Sequence, residues 1–250
     1  MDMRSFGTAA TGGQAPGLTG AGNTTPPDKT WTLPLIPRWC SSAPATSAYL
    51  LVLVTTTTVL SSSSERSDDQ LLFAVSTNLH QLAHVPIRVL IASAFWTSGW
   101  GELAVWIALS ATILAPVERS LGWRRLTMTF AAGHLGATLI VATGLWIGIQ
   151  LGAVRPADVF ARDVGASYGF FAVAALAAYL LAPRYRTGYL AVTIGYAVAR
   201  ATLFHTFTDF GHLSAVAIGL ACYPLIRRKA APGRAGLPPR VRRFELADAN

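Results

Sequence analysis

Residues 163–181 read DVGASYGFFAVAALAAYLL, and the fold turns on how this stretch is taken. Beyond Asp163 it holds no charge, and small residues are interleaved with large apolar ones throughout. Roughly 20 apolar residues cross the ~30 Å hydrocarbon of a bilayer as a helix, so the stretch reads as a membrane-embedded helix. Its glycines and alanines would let a second helix approach closely. Ser167 stands at its mouth, either as one more small packing residue or as a buried nucleophile.

The rest of the chain supports a membrane setting. Of 250 residues 52% are hydrophobic and 13% are charged, and the mean hydropathy is +0.43. Soluble domains carry about 25% charged residues. The net charge of +8 does not point to nucleic acid, because the cations sit at the ends of apolar segments and form no single patch. Cys40 and Cys222 have no CxxC or Cys/His neighbour, so neither a zinc nor a redox motif is present. No metal and no cofactor are expected.

Six stretches qualify as spans, at about 43–61, 88–115 (ended by Pro116), 126–148, 164–182, 187–205 and 210–226. The expected fold class is an all-α polytopic membrane protein, a bundle of six transmembrane helices. Residues 1–42 form a Gly-, Thr- and Pro-rich tail without a signal-peptide core, expected to be disordered. Residues 43–226 form the membrane domain, and 227–250 a basic tail. With six spans, the two tails and the loops after spans two and four hold 15 of the lysines and arginines, and the opposite side holds 5. Excess Lys and Arg marks the cytoplasm, so both termini are expected inside the plasma membrane. The cluster Arg227-Arg228-Lys229 would anchor to anionic lipids.

In this topology spans four and six both run from outside to inside. Ser167 then lies in the first turn of span four and His212 in the first turn of span six, at similar depth. Gly165 and Gly169 flank the serine, while Gly211, Ala215 and Gly219 follow the histidine's helix at spacings of four. Such tracks permit close helix packing. A serine hydroxyl is a weak nucleophile until a base takes its proton, and a neutral imidazole within about 3 Å does so. Serines among small residues in membrane helices commonly only pack. A histidine there is costly and points to a role without saying which.

These residues resemble the rhomboid intramembrane serine proteases. Gly165-Ala166-Ser167 is similar to the start of that family's G-x-S-G motif on its fourth helix. His212, followed by Ala215 and Gly219, resembles the histidine of its sixth helix. Glu118-Arg119-Ser120-Leu121-Gly122 resembles its E-x-x-x-G turn after helix two. The resemblance covers roughly 43–226. It is nearest to divergent rhomboid-like proteins of actinobacteria, including STNLHQLAHVPIRVLIASAFW at residues 76–96. It implies Ser167 as nucleophile and His212 as base, acting on transmembrane protein substrates near the outer face.

The departures bear on activity. Tyr168 replaces the glycine after the serine. Aligned through Glu118, Glu102 and Trp106 occupy the places of the helix-two His-x-x-x-Asn pair that helps stabilise the oxyanion in the family. An ionised glutamate donates nothing, and tryptophan offers only its indole N–H. Losing one oxyanion donor costs on the order of 10²–10³ in rate, unless backbone N–H groups near Ser167 fill the hole. The departures favour a second reading, an inactive relative that binds partner helices without cutting them. A third, a small transporter, has little support, because no pair of broken helices is evident.

Other polar residues have plainer readings. Glu102 reads as an interfacial carboxylate or a partner of Arg88, Arg200 or substrate. His80 and His84 share a face of an interfacial element in the first outer loop. His134 is expected to bond to another helix. Asp209 reads as the cap of span six, and alternatively as the group that orients His212.

Overall fold

The computed structural model describes residues 42–62 and 65–227. The two tails expected from sequence, and Cys40, lie outside the described residues or at their edge. Among the described residues no strand occurs. In chain order the helices are α1 Pro44–Ser61, α2 Glu65–Val75, α3 Leu79–His84, α4 Pro86–Ala92, α5 Trp100–Leu109, α6 Ala115–Leu121, α7 Trp123–Gln150, α8 Ser167–Ala177, α9 Pro183–Phe204, α10 Phe207–Ala221 and α11 Pro224–Arg227. Short 3-10 turns follow α4 and α8, and another spans Pro156–Phe160.

Four of these segments are long and apolar enough to cross a membrane: Pro44–Ser61, Trp100–Leu121, Trp123–Gln150 and Phe207–Ile226. Ser167–Leu180 is a shorter apolar helix, about 21 Å long at ~1.5 Å per residue. α9 has 22 residues but carries Arg184, Arg186 and Arg200. Large apolar side chains face outward on α7 and α9, among them Met128, Leu139, Ile140, Val192 and Leu203. Such a surface fits hydrocarbon rather than water.

The second span differs from its sequence reading. Residues 88–95 do not join it. α4 ends at Ala92, the chain breaks, and Gly99, at φ 147°, turns it into α5. That backbone region favours glycine. At the other end Pro116 does not stop the helix. A π turn at Ser110–Leu114 precedes it, with the N–H of Ala115 donating to Ser110 O. This wider turn carries the helix past the proline to Leu121.

α8 lies at the centre, packed on α7 and α10, which also pack on each other. It is apolar on every side, as a helix enclosed by protein must be: Ala172, Val173, Ala175 and Leu176 are all fully buried. Small residues set the distances. A Cβ on Gly133 of α7 would lie 2.2 Å from Cβ of Ala172, and one on Gly219 of α10 would lie 2.1 Å from its carbonyl oxygen. Gly169 points elsewhere than its sequence spacing suggested. It faces the Phe130 ring of α7, not α10.

Glu118 ties α1 to the second span. Its carboxylate accepts from the N–H of Ala45 and of Thr46, both at 2.8 Å, and from Thr46 Oγ1 at 2.7 Å. α1 begins on Pro44 with no side-chain cap from the preceding Ala43, so this distant carboxylate satisfies donors that every helix leaves open.

Candidate functional site

Ser167 is the first residue of α8, and the turn before it is set by backbone. Gly165 has φ 127°, a region L side chains rarely adopt, and its N–H donates to Ser93 O at 2.8 Å. The N-cap position is Ala166, which offers no side-chain oxygen. The first-turn N–H groups of α8 therefore have no side-chain cap, and helix geometry gives them no intrahelical partner.

His212 lies in the second turn of α10, buried against α8. Its ring packs on Phe171 with centroids 4.5 Å apart and edge-on to Tyr168 at 5.5 Å. Ser167 and Phe171 are four apart, so they share one face of α8 about one turn apart. The imidazole thus rests on the residue that follows the serine and on the one a helical turn beyond it. Both ring nitrogens are buried without a hydrogen-bond partner, so no Ser167–His212 bond is formed. Buried polar atoms left this way are uncommon in folded proteins.

Asp209 begins the same helix. Thr206 and Asp209 form a capping box: the Asp209 N–H donates to Thr206 Oγ1, and the Asp209 carboxylate accepts from the Thr206 N–H and hydroxyl. The cap expected from sequence is thus present. The other carboxylate oxygen, Oδ1, accepts from Arg200 Nε of α9 at 2.8 Å and lies 3.9 Å from His212 Nδ1.

Tyr168 turns away from the serine into the protein. Its ring fills the space left by Gly211, where a Cβ would come within 2.4 Å, and its hydroxyl donates to Asp163 Oδ2 at 2.9 Å. Asp163 is pinned in turn to the segment before α3. Its carbonyl accepts from the Thr77 N–H at 2.9 Å, and its N–H donates to Ser76 Oγ at 2.8 Å. Burial pushes the Asp163 carboxyl up to about 6, against the hydrogen bonds from Tyr168 and Thr77 that favour its ionised form. Sequence reading missed this link, and the pairing of Phe171 with His212.

Glu102 stands beside the turn that precedes Ser167: a Cβ on Gly165 would lie 3.5 Å from its Oε1. It meets neither Arg88 nor Arg200. Its carboxylate accepts from the N–H of Ser98 at 2.6 Å and from Trp106 Nε1 at 3.0 Å. Trp106 is buried edge-on to Phe170. The one donor of the pair is therefore spent on its own partner.

The remaining candidates are structural in their contacts. Ala215 is fully buried in a cluster with Ala137 and Tyr168. His134 Nε2 lies 3.1 Å from both Ser93 Oγ and Leu90 O, joining α7 to the α4 region. The His80 and His84 rings lie 4.5 Å apart on α3, tilted to each other by 39°, and no group of three or more possible metal ligands converges among the described residues. A cavity of about 870 Å³ opens between α7 and the start of α10, walled by Ile140, Leu145, Phe210 and Leu213 and rimmed by Arg155 and His205. It does not include Ser167 or His212.

A family model described as "Rhomboid-like protein" matches residues 38–232. No curated protein and no solved structure matches the chain.

Proposed function

The chain belongs to the rhomboid-like protein family and is a multi-pass membrane protein, and from that premise we propose that it is an intramembrane serine protease acting through Ser167 and His212. The observation that carries this reading is His212 itself: a buried imidazole with both nitrogens unpartnered, resting on the face of α8 that bears the serine. A purely structural histidine in a membrane helix would be expected to have found a partner. Ser167 Oγ attacks a carbonyl of a transmembrane substrate near the outer boundary while His212 takes its proton. The Oγ–C bond forms, the C–N bond breaks, and His212 returns the proton to the leaving amine. Water then hydrolyses the acyl-enzyme. The first-turn N–H groups of α8 serve the oxyanion.

This reading includes six membrane crossings, with α8 and α9 as the fourth and fifth, both termini cytoplasmic, and the plasma membrane as location. α8 crosses as a short helix sheathed in protein. Partners are transmembrane helices and lipids.

A second reading, a family member that binds helices without cleaving them, is favoured by one observation. Glu102 and Trp106, which the family resemblance aligns with the oxyanion donors, hydrogen-bond to each other. A fluorophosphonate probe on the purified protein separates the two. Labelling of the wild type that Ser167→Ala and His212→Ala each abolish supports the protease. No labelling of a folded wild type supports the binding protein.

A further inference from the structure

Asp209 does more than cap α10. A cap at this position needs one acceptor oxygen, and Asp209 Oδ2 supplies it to Thr206. Yet the side chain is a fully buried carboxylate, costly to bury without charged or polar partners. Its second oxygen has two neighbours. Arg200 Nε donates to it at 2.8 Å, and His212 Nδ1 faces it at 3.9 Å. The guanidinium is itself held over the Phe204 ring at 4.9 Å.

A neutral imidazole carries one N–H, and the neighbours of its two nitrogens decide which one. His212 has no hydrogen bond at either nitrogen, so electrostatics chooses. A proton on Nδ1 points positive charge toward the Asp209 carboxylate, whereas a lone pair there would face an anion. We propose that Asp209 is a positioning residue that fixes His212 as the Nδ1–H tautomer and leaves Nε2 bare as the proton acceptor, with Arg200 holding the carboxylate in register. The tautomer stands on Asp209 alone; its use in catalysis rests on the serine protease reading. When His212 takes the serine proton on Nε2, the Nδ1–H of the resulting imidazolium already faces the carboxylate, and Asp209 keeps its own charge throughout. The site is then a Ser–His pair with a third member built into the helix cap. The other titratable group against His212 is Tyr168, whose hydroxyl is committed to Asp163.

The test is 15N NMR of ring-labelled histidine in the full-length protein in lipid, with the His212 signals assigned by their loss in His212→Ala. The wild type is expected to show Nδ1–H with a bare Nε2; an Nε2–H tautomer overturns the proposal. Asp209→Asn keeps a capping oxygen and removes the charge, and is expected to release the tautomer to a mixture. An unchanged Nδ1–H signal in Asp209→Asn overturns it. Thr206→Ala, which weakens the cap and leaves the carboxylate, is expected to keep the wild-type tautomer. Loss of the tautomer in Thr206→Ala would assign the effect to helix capping and overturn the proposal. Fluorophosphonate labelling is measured on the same samples and is expected to fall on the order of 10²-fold or more in Asp209→Asn. A wild type that never labels sinks the protease reading, while the tautomer still decides the role of Asp209.

Discussion

Gly219 of α10 and Ala172 of α8 meet backbone to backbone: a Cβ on the glycine would lie 2.1 Å from the alanine's carbonyl oxygen. Neither side of this contact can give without a helix moving. Gly219→Val is expected to lower stability by about 1–3 kcal/mol, the usual range for overpacking a well-filled site. Gly195→Ala, on α9 with nothing within 4 Å of its Cβ, is expected to be neutral or to stabilise by about 0.4–1 kcal/mol. Thermal unfolding of both variants in the same detergent checks the contrast, and equal losses would count against α8 as the packing centre.

The Glu118 carboxylate accepts three hydrogen bonds from the start of α1. Hydrogen bonds to a charged group contribute about 1.5–3 kcal/mol each, not additively. Glu118→Ala is expected to lose at least about 2 kcal/mol, and Glu118→Gln less, since its amide oxygen still accepts. Proteolysis should cut α1 more readily in the alanine variant than in the wild type.

The Asp163 carboxyl is raised by burial to about 6 in the folded protein, above the ~3.9 of an unperturbed aspartate. The folded state therefore holds a proton that the unfolded state releases between about pH 4 and 6, and stability falls as pH rises through that window. Asp163→Asn is expected to flatten the slope of melting temperature against pH between 4 and 6. A slope identical to wild type would place the titration elsewhere.

Glu102 accepts a hydrogen bond from the Trp106 indole N–H, and its carboxylate offers no donor toward Gly165. If Ser167 is a nucleophile, Glu102→Gln brings an amide N–H to the same place. Cleavage of a transmembrane reporter is expected to rise by on the order of 10-fold, below the 10²–10³ that a preorganised donor supplies. An unchanged rate would locate the oxyanion site wholly on the backbone of α8.

The sequence made the parts of this site legible unevenly. The placement of Ser167 and His212 near the starts of their helices follows from apolar segment ends and charge asymmetry, which are local signals; the structure starts α10 at Phe207, so His212 falls in its second turn and not its first. The offset from Glu118 led to Glu102, and the structure has that residue beside Gly165. The cap by Asp209 could be read because it stands at the start of its own helix, while its pairing with Thr206 in a capping box came from the structure. What escaped depends on contacts between distant segments. Tyr168 reads as bulk crowding the serine, until Gly211, 43 positions later, is seen to make room for its ring. Gly169 belongs to the right kind of track but faces α7. The gap before Trp100 was hidden because residues 94–96 are apolar, and hydropathy does not register a backbone break. Pro116 misled for the opposite reason: a π turn upstream absorbs what a regular helix could not.

The bond from Glu118 to the start of α1 also orders events during synthesis. The residues it joins are 72 and 73 positions apart. While the chain is being made, α1 is complete long before its cap has been translated. The N–H groups of Ala45 and Thr46 must use water or headgroups until the second span arrives. Completion of the first helix is thereby made conditional on insertion of the second, so a nascent chain stalled before residue 118 holds α1 less firmly than a chain that has passed it.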